Sequence, residues 1–187
     1  MGEYKISAIK YRPQTFKDVV GQEAVTTTLE NAIKKNKLGQ ALLFCGPRGV
    51  GKTTCARILA KNINFSDDDK NDYAFNIFEL DAASNRSVDD IRSLNEQVRV
   101  PPRIGNHKVY IIDEVHMLTT EAFNAFLKTL EEPPAHTIFI LATTEKSKIL
   151  PTILSRCQIY DFKRISVLDI KKRLEVIMLE EKINYDD

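Results

Sequence analysis

The stretch "ALLFCGPRGVGKT", residues 41–53, decides the fold. Its first part is a short apolar run halted by Gly46, the pattern of a buried parallel strand. Its second part, Gly46 to Thr53, matches G-x-x-x-x-G-K-[ST] and stands between a strand and a helical pattern, the context that motif requires. The residue choices have physical reasons. Glycines such as Gly46, Gly49 and Gly51 let the backbone curl until successive N–H groups face one anion. The helix N-terminus that follows adds its partial positive charge. Lys52 reaches the terminal phosphates of a nucleotide, and the hydroxyl of Thr53 can hold Mg²⁺. Pro47, Arg48, Val50 and Thr54 complete the segment expected to wrap the nucleotide. The motif does not demand an arginine at 48, and Arg48 reads as a surface residue.

Outward from this stretch the same rhythm repeats. "NIFELDA" (76–82), "KVYIIDE" (108–114) and "TIFILATT" (137–144) read as strands, and "QIYDF" (158–162) as a weaker fifth. Helical patterns lie between them. Residues 52–62 carry apolar or small side chains at 55, 56, 58, 59 and 60. Residues 88–98 space Val88, Ile91, Leu94 and Val98 helically, and 122–130 place Phe123, Phe126, Leu127 and Leu130 on one stripe. Thr119 can cap that last helix, Glu121 falls in its first turn, and Pro133 with Pro134 ends it. Strands alternating with helices predict an α/β domain over 1–163, a five-stranded, largely parallel sheet flanked by helices. No internal repeat is visible. The acidic patch "SDDDKND" (66–72) reads as a solvated loop.

Composition narrows the class. The 187 residues suffice for one full core and part of a second domain. A net charge of +1 excludes a generally basic nucleic-acid coat, though not a local basic face. No run approaches the roughly 18 apolar residues of a membrane span. The first residues lack the apolar centre of a secretory signal. Cys45, Cys55 and Cys157 are odd in number and far apart, forming neither a disulfide framework nor a zinc site. A soluble cytoplasmic protein is expected.

A phosphate loop needs acidic partners, and "VYIIDE" delivers Asp113 and Glu114 to the carboxyl end of a strand, where ligands of open α/β sheets collect. Asp113 is expected to bind Mg²⁺, directly or through water. Glu114 is expected to orient and polarise an attacking water, which points to hydrolysis rather than binding alone. His116 is a tempting base, but Glu114 already fills that role, so His116 reads as a structural or coupling residue. His107 and His136 have no partners at metal-ligand spacing and read as surface or packing residues.

At "LATTEKSKILPTILSRC", with "YRPQTFKDVVGQ" near the start and "DEVHMLTTEAFNAFLKTLEEPP" between, the chain resembles the AAA+ ATPases of the bacterial DNA polymerase III clamp-loader group. The resemblance covers essentially the whole chain, and several motifs agree in order and spacing. It implies ATP and Mg²⁺ as cofactors. It implies an ATPase that works in a hetero-oligomeric ring with other clamp-loader subunits, opening a sliding clamp and loading it onto primed DNA, within the DNA polymerase III holoenzyme and away from membranes. Polymerase (nucleotidyltransferase) activity would belong to that holoenzyme, not to a site in this chain.

Roles carry over by position. Tyr11, Arg12 and Pro13, with Val19 and Val20, fall where the family cradles adenine and its nearby phosphates; without the resemblance they form an N-terminal arm packed on the core. Thr144 matches the first sensor, with Thr143 the alternative. Arg156, in "SRC", matches an arginine finger that acts in trans on ATP held by a neighbouring subunit; the lesser alternative is a salt bridge with a carboxylate of its own chain. DNA phosphates would meet the helix starts at "SNRSVDDIR" and at Thr119–Thr120, with Arg86 and Arg92 as basic candidates and Arg103 a weaker one. Glu131 and Glu132 sit near a helix C-terminus, where negative charge is unfavourable, and are expected to face a cation across a subunit interface.

Two departures from the family pattern matter. The family commonly carries a four-cysteine zinc module before the second strand. Here residues 64–75, "NFSDDDKNDYAF", contain no cysteine, so no zinc is expected. After "QIYDFKR", the helical pattern of 167–183 looks like the start of the family's small helical lid, so 164–187 reads as an unfinished lid domain whose second sensor arginine lies beyond. A catalytically silent ring subunit would share the fold but would not need intact Lys52, Thr53, Asp113 and Glu114. A branch-migration helicase motor is fitted poorly by "FNAFLKTLEEPP", and a small-molecule kinase would not explain "SRC".

Overall fold

The computed structural model describes residues 7–64, 72–103 and 105–183. The strands are β1 (Ala41–Cys45), β2 (Ile77–Asp81), β3 (Lys108–Asp113), β4 (Thr137–Thr143) and β5 (Gln158–Asp161), and they form one sheet in the order β2-β3-β4-β1-β5. Every pairing is parallel. The helices are α1 (Ser7–Lys10), α2 (Glu23–Lys34), α3 (Lys52–Asn64), α4 (Val88–Val98), α5 (Thr120–Glu131), α6 (Pro151–Leu154) and α7 (Val167–Glu181).

Both faces of the sheet are covered, which is why β1 and β4 are apolar without alternation. The pleat sends alternate residues to opposite sides. Ile138, Ile140 and Ala142 join Leu42, Phe44 and the inner sides of α2 and α3. Phe139 and Leu141 join Leu43, Tyr110, Ile112 and the inner sides of α4, α5 and α6. Thr119 caps α5 by accepting from the Ala122 N–H, and Ser87 caps α4 by accepting from Asp90. The three thiols stay protonated at neutral pH, because burial pushes Cys45 and Cys157 up to about 11 and Cys55 up to about 12.

The expected elements are present, with ends moved by a residue or two. The informative shift is in β3, which stops at Asp113 and not at Glu114. Glu114 takes a left-handed backbone conformation (φ 47°) and opens a 3-10 turn over Val115–Met117. Helix α2 is an element that the sequence patterns missed. Its Thr26-Thr27-Thr28 run has low helix propensity. Its N-cap residue, Gln22, makes no capping bond. The Gln22 amide is 3% exposed and bonds the backbone of Lys163 twice, accepting from its N–H at 3.1 Å and donating to its carbonyl at 2.7 Å. The helix start thus carries no capping residue type, and the side chain there serves a tertiary contact instead.

Residues 65–71, including most of the expected acidic loop and of the cysteine-free segment 64–75, lie outside the described residues. Helix α7 follows the linker after β5 and buries none of its residues; Val167, Leu168 and Leu179 are exposed. Polar contacts tie it to the N-terminal arm. Lys10 Nζ and the Tyr11 hydroxyl both donate to Glu181 Oε1 at 2.6 Å, and Arg173 Nη2 donates to the Tyr11 carbonyl at 3.2 Å. Among the described residues no helix is long and apolar enough to cross a membrane.

Phe139 is fully buried, 5.1 Å from the Phe126 ring and 5.7 Å from the Tyr110 ring. Phe139→Ala is expected to cost about 3–5 kcal/mol of folding stability, read as a lowered midpoint in urea unfolding.

Candidate active site

The loop between β1 and α3 is fixed at its start by two strands. The Gly46 N–H donates to the Thr143 carbonyl at 3.2 Å, and the Phe162 N–H donates to the Cys45 carbonyl at 2.7 Å. A Cβ on Gly46 would lie 2.5 Å from the Phe162 carbonyl oxygen and 2.8 Å from its Cβ, so the backbone just after β5 leaves room for glycine alone. Gly49 and Gly51 hold φ of +80° and +98°, turning the loop back towards α3. Lys52 opens α3 and is 6% exposed. Its Nζ donates to the carbonyls of Gly46 and Pro47, both at 2.8 Å. Burial lowers its pKa, opposed by the nearby carboxylates of Glu114 and Asp113.

The acidic partners come to the same place. The Thr53 hydroxyl donates to Asp113 Oδ2 at 2.6 Å, joining α3 to the end of β3. Glu114 Oε2 accepts from the N–H and the hydroxyl of Thr144, at 3.3 and 2.9 Å. These groups border an open cleft of about 1160 Å³, whose lining includes Arg12, Arg48, Lys52, Thr53, Glu114 and Thr144. Hard oxygen donors on Thr53 and Asp113, beside a cluster of backbone N–H groups, fit a small divalent cation bound together with phosphate.

Of the two sensor candidates, Thr144 lines the cleft. Thr143 is fully buried, its hydroxyl accepting from the Glu145 N–H and lying 3.0 Å from His116 Nδ1. Arg48 is exposed at the rim, as its sequence position suggested. Thr54 lines the cleft as well as a smaller cavity of about 350 Å³ that adjoins Arg12 and Pro13. Val19 and Val50 are buried, with Val19 Cγ1 3.8 Å from where a Cβ on Gly51 would stand. Val20 is half-buried. Tyr11 turns its hydroxyl to Glu181 rather than lining the cleft.

Arg156 does not line the cleft of its own chain. Its Nη2 donates to Glu131 Oε1 at 2.5 Å and its Nη1 to the Thr152 carbonyl at 2.6 Å. The cation facing Glu131 is therefore in the same chain, which corrects the expectation of a partner across an interface; Glu132 is exposed. The two helix starts considered for DNA lie side by side, because the Thr119 N–H donates to the Arg86 carbonyl at 3.2 Å. Arg86, Thr119 and Thr120 are exposed there. Arg92 is exposed but paired with Asp89 at 3.2 Å, and Asp89 and Asp90 bring negative charge to the start of α4. Arg103 is exposed on the segment before β3. His136 Nε2 donates to the Val98 carbonyl at 2.9 Å, and His107 Nδ1 is buried without a partner among the described residues; both are packing residues.

A sequence profile of the family described as "DNA polymerase III, delta subunit" matches residues 21–166. The chain belongs to the DNA polymerase III gamma/tau and delta subunit family. It is 50% identical over 191 residues to DNA polymerase III subunit tau of Bacillus subtilis (strain 168), covering 95% of this chain and 34% of that one. It is 45% identical over 197 residues to subunit tau of Escherichia coli (strain K12), covering 98% of this chain and 31% of that one. The chain thus spans about a third of the length of these DNA polymerase III subunits. Among solved structures, the RuvB Holliday junction branch migration motor of Thermotoga maritima superposes with a TM-score of 0.70 at 22% identity, over 94% of this chain and 56% of that one. A DNA polymerase III gamma subunit-related protein of the same organism gives 0.62 at 23% identity, over 81% of this chain and 57% of that one. At such identities these two report a shared fold and nothing of role.

Gly46→Ala is expected to lower folding stability by about 1–3 kcal/mol through overpacking against Phe162. Urea unfolding measures this, and titration with a nucleoside diphosphate is expected to show weakened binding in the same variant.

Proposed function

We propose that this chain is an ATPase motor subunit of a DNA polymerase III clamp loader, in which ATP binding and hydrolysis drive the opening of a sliding clamp and its loading onto primed DNA. The observation that carries the proposal is the meeting, in one cleft, of the glycine loop, Lys52, the Thr53–Asp113 pair and Glu114. That set serves hydrolysis of a phosphoanhydride, whereas a binding module has no use for a carboxylate placed beside the phosphate loop.

In this mechanism the loop N–H groups and Lys52 bind the phosphates, and Arg12 with Pro13 borders the base at the mouth of the cleft. Mg²⁺, held by Thr53 and Asp113, would neutralise charge on the phosphate oxygens. Glu114 orients the attacking water and draws on its proton. Thr144 fixes Glu114 and reads the terminal phosphate. Arg156 serves the ATP of a neighbouring subunit. In support, it stands outside its own cleft, with its guanidinium held by the Thr152 carbonyl and Glu131. Assembly then requires that the neighbour's phosphate compete with Glu131 for the guanidinium. Residues 1–163 form the ATPase unit and 164–187 the start of a helical lid, a division supported by the absence of buried residues in α7. Phosphates of primed DNA meet the exposed starts of α4 and α5 through Arg86, Thr119 and Thr120, without base-specific reading.

Mixing separates this mechanism from one confined to a single chain. In the full-length protein assembled with partner subunits, clamp and primed DNA, Lys52→Ala throughout or Arg156→Ala throughout is expected to leave little hydrolysis. A trans arginine is worth about 10³–10⁵ in rate. Rings made from a mixture of the two are expected to regain phosphate release. Mixed rings that form and stay inactive would place Arg156 in its own chain's chemistry or in the fold.

A further inference from the structure

The ATPase mechanism leaves His116 without a task, although it lines the cleft and is nearly inaccessible, with 5% of its side chain exposed. It rises from the 3-10 turn that follows Glu114 and wedges between the ends of β3 and β4. Nδ1 lies 3.0 Å from the Thr143 hydroxyl and 3.3 Å from Glu114 Oε2. Nε2 lies 3.3 Å from Glu145 Oε1, and Glu145 is itself paired with Lys148 at 2.8 Å. A carboxylate only accepts, and a neutral imidazole has one N–H to give. With the proton on Nδ1, His116 donates to the Thr143 hydroxyl and sets a positive ring edge against Glu114 Oε2, 3.3 Å away. With the proton on Nε2, that edge faces Glu145 at 3.3 Å, and Nδ1 accepts from Thr143.

We propose, resting on the hydrolytic role of Glu114 given above, that His116 is a positioning residue for the Glu114 carboxylate. Glu114 Oε2 is surrounded by the Thr144 N–H, the Thr144 hydroxyl and His116 Nδ1. Glu114 Oε1 takes no hydrogen bond among the described residues, so it is the oxygen left to meet a water. Thr144 alone holds Oε2 from the β4 side. His116 closes the other side and prevents the carboxylate from turning about its terminal torsion, which is intrinsically soft. It also ties that orientation to Thr143 and Glu145, and so to the segment leading from β4 towards Arg156.

Four variants of the full-length, assembled protein test this: His116→Phe, His116→Asn, His116→Gln and Glu114→Gln. Asn can place its amide near Nδ1, whereas Gln reaches the position of Nε2. His116→Phe is expected to lower kcat by about ten- to a hundredfold while the Kd for ATP stays within about twofold. Asn is expected to restore most of the lost rate and Gln little. In a Glu114→Gln background, His116→Phe is expected to cause no further loss, because its effect passes through Glu114. Wild-type turnover in the Phe variant, rescue by Gln but not Asn, or a further loss in the double variant each overturns the proposal. The Asn–Gln comparison decides the matter even if the Phe variant does not fold. Normal hydrolysis by Glu114→Gln alone would overturn the assignment of Glu114 and this inference together, whereas a dead Glu114→Gln beside an unaffected His116→Phe overturns only the inference.

Discussion

β4 pairs along one edge with β3 and along the other with β1, so its register sets the distance between two chain segments that never touch within the sheet. The phosphate loop leaves β1, and the acidic pair leaves β3. With β4 between them, Thr144 emerges where it reaches Glu114 on one side, while the Thr143 carbonyl receives the Gly46 N–H on the other. A slip of one residue in β4 would reverse which side chains enter each core. It would also carry Thr143, now buried, into the place of Thr144. The cleft is therefore a consequence of sheet register before it is a consequence of any one functional side chain.

Polarity at the strand ends is arranged so that no charge is left buried and unserved. Asp113 accepts from the Thr53 hydroxyl and the Glu114 N–H. Lys52 is pressed against carbonyls of its own loop, at a cost in desolvation that lowers its pKa. The Arg156–Glu131 pair is of another kind. It is partly exposed, so its contribution to stability is small, and its geometry matters more than its energy.

Much of this could be read from residues 41–53 and 108–114 alone. Apolar runs of strand length can only be buried on both faces, and that implies helices on both sides. The motif residues Lys52, Thr53, Asp113 and Glu114 meet as expected. Other features were hidden because their causes are not local. Helix α2 lacks a cap signal, since Gln22 is not a capping residue type, and its amide bonds Lys163, 141 positions away. The choice between Thr143 and Thr144 cannot be made from two identical neighbours in sequence; it follows from where the pleat of β4 ends. His116 read only as a structural or coupling residue, because its partners, Thr143 at the end of β4 and Glu145 beyond it, are distant in sequence.

By itself, then, the sequence determined the five strands, the helices α3, α4, α5 and α7 and the parallel class of the sheet, because periodicity acts over a few residues. Tertiary structure alone decided which threonine faces the cleft, which carboxylate Arg156 meets within the chain, and that a histidine stands behind Glu114. Those outcomes depend on strand register and on contacts between segments far apart in the chain, which no local pattern encodes.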